Sequence, residues 1–285
     1  MSKTKILVAA HKVAPVYCND IYTPIHVGAA NSQLELGYLK DSEGDNISTK
    51  NPSYCELTAQ YWAWKNLSDY DYVGLCHYRR YFDLEFTKDN VDDIFKKYDI
   101  ILSQPFYRST PLIYKMHQTL ADEDVIILFY VINKLYPEYD KAVIDYLWGL
   151  KDVPYNMFVC SYELFSKFAQ WQFSILNECE KYVKVSPYPN SKRIYGFMGE
   201  YLLPIFCMHN NLKVKYCPVV GMVGDKPAKS QNSVKSFLAR GFWKLANSHV
   251  QKPASLEQAY HNPVYDFLVN AGWFSDEKNK DYAER

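Results

Sequence analysis

Tyr72-Val73-Gly74-Leu75-Cys76-His77-Tyr78-Arg79-Arg80-Tyr81-Phe82 is the stretch that decides how this chain is read. Val73, Leu75 and Cys76 form a short apolar run suited to a strand covered on both faces. The run stops abruptly at a histidine and two arginines set among aromatic rings. Open α/β sheets bind ligands outside the carboxyl ends of their strands, and the basic cluster falls at that end. Arginine keeps its charge when desolvated and its planar fork of donors matches phosphate oxygens, so the pair predicts an anionic, phosphorylated ligand. The plain alternative is a solvated strand end tied by structural ion pairs.

Working outward, the chain opens with a strand over residues 5–10, then a loop through Pro15, Pro24 and the small-residue run Val27-Gly28-Ala29-Ala30. Residues 41–48 are polar and turn-rich, and Asn51-Pro52 leads into an aromatic helix expected over residues 54–66, with Glu56 and Gln60 one turn apart. A helix over 91–97 and a strand over 99–102 follow, ended by Gln104-Pro105. Residues 113–148 read as mainly helical, including 121–135 and 138–147. A buried strand over 156–160 feeds a helix over 162–181 whose apolar face holds Leu164, Phe165, Phe168, Phe173 and Leu176. Residues 193–203 enter another helix with Glu200 in its first turns, and 214–220 supply the last strand.

This alternation predicts an α/β fold: one domain over 1–227 with a mixed, mainly parallel central sheet flanked by helices. After Pro227 the composition shifts to Lys229, Ser230, Gln231, Asn232 and Ser233, and a C-terminal helical extension is expected over 228–285. Its helix, over 233–247, gathers Val234, Phe237, Leu238, Gly241 and Leu245 on one face, with Lys235, Arg240 and Lys244 largely away from it. Such a helix packs on its own domain, the preferred reading, or lies on an anionic membrane.

Composition narrows the classes. The 285 residues are 48% hydrophobic, enough for a large core. Thirty-two Lys and Arg balance 32 Asp and Glu, so the basic field of a nucleic-acid binder is missing. Seven cysteines are scattered without CxxC or Cys/His metal spacing, which points to a reducing compartment. The first apolar run is too short for a signal-peptide core, and no run approaches the roughly 20 residues that span a bilayer. A cytoplasmic location is expected, at the inner face of the membrane if the C-terminal helix touches lipid.

The chain lacks GxGxxG, a Walker loop, GxSxG and HExxH, and no DxD tripeptide ends a buried strand. No metal site is assigned and no cofactor is required, although Mn or Mg stays open. What remains is a cationic strand end together with carboxylates at helix starts. Transfer from a nucleotide sugar needs a charge sink for the leaving pyrophosphate, which His77, Arg79 and Arg80 would provide, and a base for the acceptor hydroxyl. Glu200 is the first candidate for that base; otherwise it is a helix-start carboxylate facing the dipole.

Six segments occur in an order that carries a resemblance: Pro24-Ile25-His26-Val27-Gly28-Ala29, Gly44-Asp45-Asn46-Ile47-Ser48, Lys50-Asn51-Pro52-Ser53-Tyr54-Cys55-Glu56-Leu57-Thr58, the basic strand itself, Asn156-Met157-Phe158 and Gly196-Phe197-Met198-Gly199-Glu200. Together, over about residues 4–220, the chain resembles the bacterial capsular and exopolysaccharide glycosyltransferases long catalogued as a domain of unknown function, relatives of O-antigen galactofuranosyltransferases. The resemblance implies a GT-A-like fold, a UDP-sugar donor (UDP-galactofuranose in characterised relatives) and a growing glycan or lipid-linked saccharide as acceptor. It places His11, His26, Val27, Gly28, Asn46, Glu56, His77, Arg79 and Arg80 at the donor, Glu200 and Asp45 in catalysis, and His117, Asn156, Gly196 and Phe197 at the acceptor. Relatives usually carry arginine directly after the glutamate, whereas Tyr201 stands here. A catalytically silent nucleotide-sugar or glycan-binding module is the alternative.

Overall fold

The computed structural model describes residues 2–223, 226–229 and 233–275. The strands are β1 (Thr4–Ala10), β2 (Tyr22–His26), β3 (Leu39–Lys40), β4 (Tyr72–His77), β5 (Arg80–Phe82), β6 (Ile100–Ser103), β7 (Phe106–Tyr107), β8 (Lys151–Asp152), β9 (Phe158–Ser161), β10 (Val214–Cys217), β11 (Val219–Val223) and β12 (Lys226–Lys229). The main path of the large sheet runs β10-β6-β9-β4-β1-β2-β3. Neighbours are parallel except β9, which runs antiparallel to both β4 and β6. The ribbon of β5, β11 and β12 branches from β4, and β7 pairs with β8 separately. The expected mixed, mainly parallel sheet is therefore present.

Strand periodicity divides the core. On β1, Leu7 and Ala9 enter the larger cluster, while Ile6, Val8 and Ala10 enter the smaller one on the opposite face. Helices α1 (Asn51–Tyr54), α2 (Leu57–Asn66), α3 (Val91–Phe95), α4 (Leu112–Thr119), α5 (Asp122–Leu135), α6 (Asp140–Leu147), α7 (Tyr162–Cys179) and α8 (Ile194–His209) surround the sheet. The apolar face of α7 buries Phe165, Phe168 and Trp171, and Phe165 stacks on Phe158 of β9 at 5.2 Å between centroids. Each such side chain contributes about 1.5–3 kcal/mol of transfer free energy. The tail forms α9 (Ser233–Ala246), α10 (Leu256–Tyr260) and α11 (Pro263–Asn270). Tyr260 donates to Asn133 of α5, and Trp273 donates to the Tyr182 carbonyl, which ties the tail to the body.

Four local expectations change. Residues 22–26 form β2 where a loop was expected; β3 pairs only with Ile25 and His26, so Pro24 sits where the strand is an edge and proline is tolerated. The helix expected over 54–66 breaks at Cys55, whose φ is 53°. Pro218 divides the last strand into β10 and β11. Ser230, Gln231 and Asn232 of the expected domain boundary lie outside the described residues. In α9, Leu238, Phe242 and Leu245 are exposed at i, i+4 and i+7, so these three do not pack on the domain as preferred above. Among the described residues no helix is long and apolar enough to cross a membrane.

The loop after β2 is organised by one fully buried carboxylate. Asp41 accepts the backbone N–H of Gly28 (2.8 Å) and Ala29 (3.1 Å), the Thr58 hydroxyl (2.6 Å) and the Ser48 hydroxyl. Gly28 has φ 70°, and a Cβ there would lie 2.6 Å from the Asn51 side chain, so only glycine fits. Asp41→Ala strands several buried donors and is expected to destabilise the protein by about 3 kcal/mol, read as a lowered urea midpoint. An unchanged midpoint would show that this loop is held by other contacts.

Candidate functional site

Parallel pairing brings three histidines to one edge of the sheet. The register sets Ala10 beside His26 and Ala9 beside His77, and His11 follows directly on β1. His26 is 1% exposed and neither of its ring nitrogens has a hydrogen-bond partner; His77 Nε2 is likewise buried and unbonded. Buried polar atoms are nearly always paired, so these orphans mark a place where a ligand would complete the bonding. The chain then reverses: His77 pairs with Arg80 across a tight hairpin, leaving Arg79 exposed at the tip. Arg80 lies 4.3 Å from the Tyr155 ring centroid, Arg79 4.9 Å from that of Tyr78, and His11 meets Tyr78 edge-on at 5.5 Å.

Facing this edge is a strained clamp. Cys55 (φ 53°) and Tyr155 (φ 69°) adopt left-handed backbone, uncommon for residues with side chains and concentrated at functional sites. Each immediately precedes a polar side chain of the site. Asn156 donates to Glu56 Oε1 at 2.7 Å and to the Gly196 carbonyl at 3.2 Å, so one amide joins the start of α2, the entry to β9 and α8. Gly196 permits this approach: a Cβ there would lie 3.0 Å from Cys55 Sγ. Asn156 Oδ1 is a further buried atom without a partner.

Glu200 is the seventh residue of α8, beyond the first turn, so the helix dipole does not account for it. Pro204 lacks the N–H that would bond its backbone carbonyl. Burial, reinforced by the negative charge of Glu56, pushes the Glu200 carboxyl up to about 7, against the pull of Lys115. Lys115 pairs with Asp152 at 2.9 Å, Arg108 lies 3.6 Å from the same carboxylate, and Tyr201 is buried with its hydroxyl 3.4 Å from Thr119 Oγ1. These two cations stand near where relatives carry an arginine.

Arg193 is a site residue the sequence reading missed. It donates to Cys55 Sγ at 3.2 Å, and its charge acts on Glu56, Glu200, His11 and His77. Its i, i+7 spacing from Glu200 was the available signal. Lys115 had none, since only tertiary packing brings it near Glu200.

Other expected residues lie elsewhere or serve the frame. Asp45 is exposed, accepts from Tyr61 at 3.2 Å, and its carbonyl accepts from Asn66 at the far end of α2, so it does not join Glu200. Asn46 uses its amide on the Ser42 and Gly44 carbonyls and accepts Ser48 N–H, which makes it a turn builder. His117 pairs with Asp122 at 2.6 Å and lies two residues after Lys115, so the two point to different faces of α4. Phe197 is half-buried, 5.2 Å from the Arg193 guanidinium. Val27 bonds back to Ala10, closing the loop onto β1.

One electrostatic expectation is corrected. Burial lowers the His77 pKa, outweighing the pull of Glu56, whose Oε1 is 3.8 Å away and already bonded by Asn156; Arg80 and Arg193 lower it further. His77 is thus a neutral imidazole at neutral pH, not a third cation. His11 is also lowered, by burial and by Lys12, Arg79, Arg193 and His26. Among the described residues no three His, Cys, Asp or Glu side chains converge to hold a metal ion.

A sheet with phosphate-suited cations at its strand ends and a buried carboxylate opposite them is the arrangement found in this chain's relatives. Residues 5–211 match the family described as Domain of unknown function (DUF4422), and the chain belongs to that family. Among solved structures it is similar to the WbbM bifunctional glycosyltransferase in its apo form, at 28% identity and TM-score 0.69, over 81% of this chain. The chain spans 47% of that protein's length. No curated protein matches it.

The Glu200 shift has a sign that can be read in stability. Its folded pKa lies above the ordinary carboxylate value, so the folded state binds the extra proton and loses stability as pH rises from about 4.5 to about 7. Glu200→Gln is therefore expected to raise the thermal midpoint at pH 8 by a few degrees, but not at pH 4. Equal midpoints at both pH values would mean that Glu200 titrates as an ordinary exposed carboxylate.

Proposed function

We propose that this chain is a glycosyltransferase that moves a sugar, galactofuranose in the reading carried by the family resemblance, from a UDP-sugar to a hydroxyl of a growing capsular, exopolysaccharide or O-antigen glycan. The observation that carries the proposal is the buried Glu200, pushed up to about 7 beside Glu56 and across from the cationic strand end. The similarity to a bifunctional glycosyltransferase supports the reaction class.

In the proposed reaction the acceptor hydroxyl attacks the anomeric carbon from the face opposite the phosphate. Glu200 takes the hydroxyl proton as the new C–O bond forms, the bond to the phosphate oxygen breaks, and UDP leaves with inversion. Arg80 and Arg193 neutralise the leaving pyrophosphate, with Arg79 at the rim, while His11, His26 and His77 supply hydrogen bonds to the nucleotide. A carboxyl near 7 is matched to this base role at neutral pH, and the rate is expected to rise as pH climbs through about 7. In the same reading the exposed Leu238, Phe242 and Leu245 of α9, flanked by Arg240 and Lys244, rest on the anionic membrane that presents a lipid-linked acceptor.

Two measurements bear on the donor side. In calorimetry with UDP, Arg80→Ala and Arg193→Ala are each expected to weaken binding by about 1.5–3 kcal/mol, with chelator leaving the parent's affinity unchanged. Affinity equal to the parent's in both variants would remove the arginines from the phosphate site, and loss of binding on chelation would transfer the charge to a metal. Because His11 and His77 are held below their ordinary pKa in the free protein, an anionic ligand raises both, so UDP binding is expected to take up protons and to strengthen as pH falls through the histidine range. Heats independent of buffer ionisation enthalpy would rule this coupling out. UDP binding without turnover on any acceptor would favour the silent module.

A further inference from the structure

A separate cavity lies on the flank of the transfer site. It encloses about 350 Å³ and is walled by Thr119, Glu123, Asp124, Lys184, Ser191 and Trp273, among others. That volume is at the lower end of small-ligand pockets, roughly 300–1,000 Å³. Its position ties it to the chemistry on two sides. Thr119 Oγ1 lies 3.4 Å from the hydroxyl of Tyr201, the neighbour of Glu200, and Ser191 stands two residues before Arg193.

The lining is chemically mixed. Trp273 is half-buried and its indole is fixed, with Nε1 donating to the Tyr182 carbonyl at 2.8 Å and the Lys184 ammonium 4.3 Å from a ring centroid. An indole held in this way offers an apolar face to the C–H bonds of a sugar ring. Asp124 and Glu123 accept hydrogen bonds from paired hydroxyls, Lys184 donates, and Ser191 and Thr119 do either. A phosphate-bearing ligand would be opposed by the two carboxylates, and a purely apolar one would strand the polar groups. Burial pushes the Asp124 carboxyl up to about 6, so at neutral pH it is mainly ionised and fit to accept.

We propose that this cavity is a saccharide subsite that holds a unit of the acceptor glycan beside the reacting hydroxyl, with Trp273 as its platform and Asp124 as its hydrogen-bond anchor. The proposal rests on the glycosyl-transfer reading for the word acceptor, but not for the binding of sugar. Trp273 lies beyond residues 5–211, so it would be a specificity element that this chain adds to the family domain.

The test uses the full chain carrying 5-fluorotryptophan, with the Trp273 fluorine resonance assigned by Trp273→Phe and titrated with methyl β-D-galactopyranoside and methyl β-D-glucopyranoside. At least one glycoside is expected to shift the Trp273 resonance, and Asp124→Asn is expected to weaken that binding about fivefold while UDP affinity stays at the parent's value. No shift at Trp273 with either glycoside up to about 50 mM, or an affinity untouched by Asp124→Asn, overturns the subsite. If the glycoside shift persists but the parent fails to bind UDP, the sugar subsite stands and the glycosyl-transfer reading falls.

Discussion

The hydrogen bond from Asn156 to Glu56 is the constraint on which the rest of the site depends. It spans 100 residues of sequence, and the same amide reaches the Gly196 carbonyl of α8. Three separately formed pieces, the corner before α2, the entry to β9 and the start of α8, are thereby fixed against one another. Left-handed backbone at Cys55 and Tyr155 aims the two partners. Such conformations cost on the order of 1–3 kcal/mol each and persist only where the surroundings impose them. Here the surroundings are the closest approaches in the site, including the space that Gly196 leaves for Cys55.

From that clamp the electrostatics follow. Held near Glu200, the Glu56 charge raises the second carboxyl toward neutral pH, while burial and the arginines depress His77 and His11. One crevice thus contains a base tuned upward and imidazoles tuned downward. Environments that push neighbouring pKa values apart are how one fold assigns different roles to similar groups. The cations on the opposite wall, Arg80 and Arg193, stay charged whatever the burial.

The acceptor side shows a substitution of means. Tyr201 stands where relatives carry arginine, and its ring is buried against α4. Lys115 and Arg108, both anchored on Asp152, bring positive charge to the same neighbourhood from other elements. The charge near Glu200 is therefore supplied by packing and not by the adjacent residue, which no local motif would disclose.

Much of the frame was legible because it depends on short-range chemistry. The apolar runs at 5–10, 72–77 and 156–160 could only be buried strands, and the carboxyl end of β4 had to present what followed it, since strand direction and side-chain alternation are set locally. Helices with one apolar stripe, such as α7, were legible for the same reason. β2 was not, because Pro24 reads as a breaker until an edge position removes the penalty. The sequence by itself determined the class of fold, the cationic strand end and the importance of Glu56, Asn156 and Glu200. Only the tertiary structure decided that Asp45 and His117 stand apart, that Arg193 and Lys115 join the site, and that His77 is neutral. Each of those depends on distance and desolvation between segments far apart in the chain, and neither quantity is encoded in local spacing.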